Sequence, residues 1–103
     1  MNKITIKDYD NAISFVMDFV EELPKEIAPD IIIHNGHIKN PGISDIDMVF
    51  GFKDNFVLSN YFLHLFQKKI KNLKNNEVFF HHLPHIYPLS SLSLLPSMTY
   101  NPS

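Results

Sequence analysis

The first third of the chain has apolar residues at three- and four-residue spacing. After a charged, polar opening the apolar residues fall on one helical face: Ala12, Phe15, Val16, Phe19, Val20 and Leu23. Side chains spaced in this way share one side of an α-helix. The pattern therefore predicts a first helix, which Asp8 caps at its N-terminus and which ends at Pro24.

Two segments with strand character follow. In "PDIIIHNG" a β-branched run ends in Asn-Gly, a pattern typical of a buried central strand followed by a turn. In "ISDIDMVFGF", residues 43–52, polar and apolar positions alternate. Because strand side chains alternate between faces, Asp45, Asp47 and Val49 are expected on one face. The second segment is predicted to pair with the first.

A second helix is predicted from about Phe56 to Lys71, with Asp54 as its N-cap. The segment "EVFFHHLPHIYP" then predicts a third strand, ending near Pro84 or Pro88. The order helix, strand, strand, helix, strand indicates an α+β or α/β domain over residues 1–88. Residues 89–103 are apolar and serine-rich, and they fit either an irregular arm or a truncated extension.

Composition narrows the classes of function. The chain has 103 residues, no cysteine and a net charge of −2, so disulfides and thiolate metal sites are excluded and no general attraction to nucleic acid is expected. All nine basic residues are lysines, so any phosphate binding must use lysine, backbone N–H groups or a metal. The polar N-terminus and short apolar runs predict a cytoplasmic protein without a membrane segment.

The Asp-Ile-Asp sequence is the strongest candidate for chemistry. Carboxylates two residues apart on a strand share a face, and their like charges repel each other. A Mg²⁺ (or Mn²⁺) ion held by Asp45 and Asp47 would relieve this repulsion and would also bind a triphosphate. Taken alone, so short a motif is more often a solvated strand face.

The surrounding sequence supports the hypothesis that Asp45 and Asp47 hold a metal ion. A strand ending in Asn35-Gly36, a loop, and then "SDIDMVF" resembles the nucleotidyltransferase superfamily of the DNA polymerase β type, particularly its minimal bacterial members. The resemblance covers roughly residues 8 to 86. It implies a nucleotidyltransferase-like core, a small mixed β-sheet flanked by two helices. It also implies transfer of a nucleoside monophosphate from an NTP, with ATP expected, to a hydroxyl of an unknown acceptor.

The same resemblance implies roles for individual residues. Asp45 and Asp47 would hold the metal and act as the catalytic pair, while Gly36 and His37 would lie against the nucleotide phosphates. Ser44 would hydrogen-bond across the turn. Lys39, in the same loop, is the candidate for a direct phosphate contact.

The family's third carboxylate belongs on the strand after the second helix, where this chain has Glu77 followed by His81 and His82. Either Glu77 or one of the histidines substitutes for it, or the acid lies elsewhere in the chain, or the transfer chemistry has been lost. A dedicated histidine metal site of His81, His82 and His85 is less expected, because the adjacent residues His81 and His82 would point to opposite faces of a strand. One of the histidines is expected to face the cleft near the aspartates. The alternative is a catalytically degenerate module that binds a nucleotide or a partner protein. An active enzyme would need an acceptor-binding region from a partner chain or a C-terminal extension.

Overall fold

The computed structural model describes residues 3–34, 38–53, 56–90 and 99–102. These residues form an α+β fold with three helices and four short strands. The helices are α1 (Ile6–Glu22), α2 (Phe56–Ile70) and α3 (Asn76–Phe79). The strands are β1 (Ile31–His34), β2 (Met48–Phe52), β3 (His85–Pro88) and β4 (Thr99–Pro102). The predicted α+β class with a small mixed sheet is confirmed.

Helix α1 begins earlier than its apolar pattern indicates. Thr5, with extended backbone, is the N-cap, and Asp8 is the third helical residue. The Asp8 Oδ2 atom accepts hydrogen bonds from the Thr5 N–H at 2.8 Å and from the Thr5 hydroxyl at 3.2 Å. The prediction of Asp8 as the cap was therefore wrong by one turn, because an acid three residues into a helix can reach back to the capping residue. The end of the helix before Pro24 is confirmed.

The four strands form one mixed sheet in the order β3-β2-β1-β4. Strand β2 pairs with β1, as predicted, and the two strands are antiparallel; β2 also pairs with β3, in parallel. All five residues of β2 are buried. The strand has a neighbour on each edge, and buried strands of this kind have a continuous apolar sequence.

The core lies between the sheet and the helices α1 and α2. Phe50 and Phe62 pack edge-to-face with their ring centroids 4.8 Å apart. Ile46, Met48 and Phe50 all belong to this core, as their alternating positions predict. Val49 and Ile33 are also buried, but outside this cluster.

Strand β2 is shorter than predicted. Residues 44–47 have no strand assignment, and β2 begins at Met48, which is paired with His34. The Ile46 N–H donates instead to the carbonyl oxygen of Phe79 at 2.6 Å. The two aspartates thus lie on the segment that leads into the strand.

The predicted third strand is correct only in its last four residues. Glu77 lies on α3, which follows Asn75 in the left-handed conformation at φ 63°. Phe79 and Phe80 are both buried at the end of this turn. A strand would send two adjacent side chains to opposite faces, whereas a helical turn lets both face the core. His81 and His82 follow in a bend, and β3 starts only after Pro84.

Strand β4 adds an antiparallel edge to β1 and comes from the predicted C-terminal arm. Residues 91–98 and 103 of that arm lie outside the described part of the chain, as does the predicted cap Asp54. Among the helices described, none has the length and apolar character needed to cross a membrane.

Candidate functional site

The two aspartates and two histidines line one cavity of about 290 Å³. Its described lining consists of Asp45, Ile46, Asp47, Met48, His82, Leu83, Pro84 and His85. Asp45 is half-buried, whereas Asp47, His82 and His85 are exposed. Two aspartates and two histidines therefore contribute to the lining of one cavity, and these residue types carry oxygen and nitrogen donors.

Tyr9 of α1 holds the chain that carries the aspartates. Its side chain is fully buried, and its hydroxyl donates a hydrogen bond to the carbonyl oxygen of Ser44. The same hydroxyl accepts a hydrogen bond from the Gly42 N–H at 3.0 Å. Gly42 has φ +91°, which favours glycine. One buried phenol thus fixes both the turn and the residue directly before Asp45.

The backbone that follows Asp45 is held by a different element. The Ile46 N–H donates to the carbonyl oxygen of Phe79 on α3, and the Phe79 ring packs edge-to-face on Tyr9 at 4.8 Å. The backbone on both sides of Asp45 is therefore held by α1 and α3. The backbone position of Asp45 is set by these contacts with two helices.

Replacing Tyr9 with phenylalanine should destabilise the domain by about 1–2 kcal/mol, because the hydroxyl makes two hydrogen bonds. The free energy of unfolding in urea measures this loss. Tyr61→Phe is the matched control, since Tyr61 is 49% exposed, and we expect a change within about 0.5 kcal/mol. Equal stability of Tyr9→Phe and the wild type would show that the phenol does not anchor this loop.

His85 is brought to the aspartates by strand register. It pairs with Val49 across the parallel β2–β3 ladder. Directly paired residues present their side chains on the same face, and Asp47 lies two residues before Val49 on the same chain. The ladder places His85 beside Val49, and the cavity lining contains His85 together with both aspartates. Sequence reasoning did not select His85 as a site residue.

The remaining predicted site residues lie in different places. Ser44 precedes Asp45, and its hydroxyl accepts a hydrogen bond from the Asn40 N–H at 3.1 Å, which closes the turn as expected. Lys39, Glu77 and His81 are exposed and are not among the described residues that line the cavity. Gly36 and His37 lie outside the described residues.

His34 ends strand β1, where it pairs with Met48. Its Nδ1 atom is buried and has no hydrogen-bond partner in the part of the chain that the structure describes. An unpaired buried polar atom is unfavourable by about 1–3 kcal/mol.

The described lining of the cavity contains two carboxylate residues but no closed structural metal site. Within residues 3–34, 38–53, 56–90 and 99–102, no group of three or more histidine, aspartate or glutamate side chains is arranged to hold an ion. Mg²⁺, however, is commonly held by one or two carboxylates, with phosphates and water completing its shell. Asp45 and Asp47 meet that lower requirement.

A second groove, of about 360 Å³, is more open and lies at the C-terminal end of α2. It is lined by His64, Gln67, Lys68, Ile70, Lys71 and Asn76. The described lining contains no carboxylate, and lysines at a helix C-terminus favourably oppose the helix dipole. The groove is larger than the aspartate cavity, but it lacks the mixed donor set.

Comparison of the chain with protein-family models, curated proteins and solved structures gave no match.

Proposed function

We propose that the chain is a nucleotidyltransferase-like protein that binds an NTP, with ATP expected, through a divalent metal at Asp45 and Asp47. The observation that carries the proposal is the shared cavity, which both aspartates of the Asp-Ile-Asp motif line together with His82 and His85. The mixed sheet, with helices α1 and α2 packed on one face, is compatible with the nucleotidyltransferase-like core that the motif suggests.

In the proposed reaction, an acceptor hydroxyl attacks the α-phosphorus of the NTP. A new P–O bond forms, the bond between the α-phosphorus and the bridging oxygen breaks, and pyrophosphate leaves. Mg²⁺ or Mn²⁺, when bound, would offset negative charge on the phosphates. Asp45 and Asp47 would fix the triphosphate through that ion, and the carboxylates and imidazoles of the cavity offer acceptors for the hydroxyl proton.

A second candidate is a nucleotide- or partner-binding module that has lost transfer activity. The observation that favours it is the position of Glu77, the sole acid in the segment where the family's third carboxylate is expected. Glu77 is exposed on α3 and is not among the described residues that line the cavity. An active enzyme would need an acceptor-binding region, from a partner chain or a C-terminal domain. The described residues do not contain an element assigned to that role.

Two preparations of ATP, labelled at the α-phosphate or at the γ-phosphate, distinguish these functions. The chain is incubated with Mg²⁺ and either preparation, both alone and with a protein extract or an RNA pool as acceptor. We expect label from the α-phosphate on a macromolecule, none from the γ-phosphate, and pyrophosphate release. Binding of ATP without transfer would favour the second candidate, while transfer of the γ-label would contradict nucleotidyl transfer.

A further inference from the structure

The outward side of α2 carries a continuous line of exposed side chains, here called the α2 stripe. Its members recur at four- and three-residue spacing, which places them along one side of the helix. They are Val57, Tyr61, His64, Lys68 and, in the turn just after the helix, Lys71. The opposite side of α2 carries Phe62 and Phe66, which are fully buried in the core. The stripe therefore points away from the rest of the domain.

The positive charge of the α2 stripe is not balanced by acids on the same helix. The sequence of α2 contains no aspartate or glutamate. By contrast, α1 contains several acids: Asp8, Asp10, Asp18, Glu21 and Glu22. A solvated helix face normally mixes both signs of charge, which pair at a spacing of four residues. The net charge of −2 thus conceals a local excess of positive charge on α2.

The charged half of the stripe borders the groove of about 360 Å³ at the end of α2. His64, Lys68 and Lys71 line this groove together with the side-chain amides of Gln67 and Asn76. Its described lining contains no carboxylate. Ammonium, imidazole and amide groups can all donate hydrogen bonds to an anion. The groove is therefore suited to a ligand that carries phosphate groups.

We propose that the α2 stripe binds single-stranded nucleic acid, with Lys68 and Lys71 against the phosphates and Tyr61 and His64 stacked on bases. Proteins that bind single strands combine positive charge along the backbone with aromatic rings on which bases stack. The seven-residue interval from Tyr61 to Lys68 rises about 10 Å, the length of about three stacked nucleotides. The inference goes beyond the proposed function, because it requires neither the aspartate cavity nor a metal.

The apolar half of the stripe favours nucleic acid over an acidic peptide. Val57 is 77% exposed and Tyr61 is 49% exposed, although both are large apolar side chains. An acidic peptide would pair with the lysines and leave the Tyr61 ring without a partner. Bases offer a ring face of their own for stacking, so a single strand uses both halves of the stripe.

The test measures fluorescence anisotropy of a labelled single-stranded RNA of about 12 nucleotides, in EDTA and at several salt concentrations. Lys68→Gln with Lys71→Gln should bind about tenfold more weakly, and the slope of log affinity against log salt should fall by about 1.4. Tyr61→Ala should bind at least about fivefold more weakly with an unchanged slope, whereas Tyr61→Phe should bind like the wild type. Thermal unfolding monitors the fold of each variant.

A matched control removes the same charge elsewhere. Lys3→Gln with Lys7→Gln replaces two exposed lysines near the start of α1, and we expect its affinity to stay within about twofold of the wild type. Asp45→Asn with Asp47→Asn should also bind RNA like the wild type, since the stripe does not include the aspartates. This second control separates the inference from the proposed function.

Three results would overturn the inference. The first is no RNA binding by the wild type, and the second is equal binding by the wild type and the Lys68/Lys71 variant. The third is competition by a polyglutamate peptide as effective as that by unlabelled RNA, with unchanged binding in Tyr61→Ala, which would assign the stripe to an acidic protein segment. Loss of RNA binding in the Asp45/Asp47 variant alone would place the RNA in the aspartate cavity and reject only the α2 site.

Discussion

The double variant Asp45→Asn with Asp47→Asn should lose Mg²⁺-dependent ATP binding by at least about 100-fold, since both oxygen ligands lose their charge. Isothermal titration calorimetry with ATP in the presence of Mg²⁺ measures this. The fold should remain intact or become slightly more stable, because two like charges two residues apart in the chain repel each other. The Tyr9 hydroxyl donates to the Ser44 carbonyl oxygen, and the Ile46 N–H donates to the Phe79 carbonyl oxygen. The substitutions leave both hydrogen bonds in place.

A matched control separates a local site from a general effect of charge. The control variant Asp10→Asn with Asp18→Asn also removes two negative charges, but from exposed positions of α1. We expect this control to bind Mg-ATP like the wild type. If the Asp45/Asp47 variant also binds like the wild type, the carboxylates are not metal ligands and the cavity has another role.

The largest effect on stability is expected from Phe62→Ala. Phe62 is fully buried on α2 and contacts four other phenylalanine rings, with centroid separations of 4.8 to 6.2 Å: Phe19, Phe50, Phe52 and Phe66. Truncating such a side chain leaves a cavity, and we expect a loss of about 3–5 kcal/mol in the free energy of unfolding. Domains of this size commonly have a free energy of unfolding of about 5–15 kcal/mol, so the variant should be close to unfolding.

Tyr61→Ala provides the control at the adjacent position of the same helix. Tyr61 is 49% exposed, so its truncation should change the free energy of unfolding by no more than about 1 kcal/mol. Urea unfolding followed by circular dichroism compares the two variants. Equal losses in the two variants would mean that the aromatic cluster is not the centre of the core.

The main elements could be predicted because each has a strong local pattern. The apolar spacing of α1 and α2 reflects burial of one helix face. The isoleucine run of β1 reflects a strand that is buried on both faces. Segments whose structure depends on distant contacts were predicted less well. The segment from Glu77 to Phe80 is rich in strand-forming residues. It nevertheless forms a helical turn, which allows the adjacent side chains of Phe79 and Phe80 both to be buried. The aspartates lie outside β2 because the Ile46 N–H pairs with α3 instead of a strand.

The candidate site was predicted in part. The motif itself selects Asp45 and Asp47, and both line the cavity with His82. His85 was missed because its role depends on the register between β2 and β3, which a single sequence does not specify. Tyr9 could have been found, since it precedes Ala12 by three residues and Val16 by seven on the buried face of α1. Its hydrogen bonds to the loop, however, are tertiary contacts.

The most direct test is a calorimetric titration of the wild-type chain with ATP, once with Mg²⁺ and once with EDTA. A metal-dependent nucleotide site predicts saturable binding with Mg²⁺ that is lost when EDTA removes the ion. Absence of binding with Mg²⁺, or equal binding in the two titrations, would contradict a nucleotide held through a metal at Asp45 and Asp47.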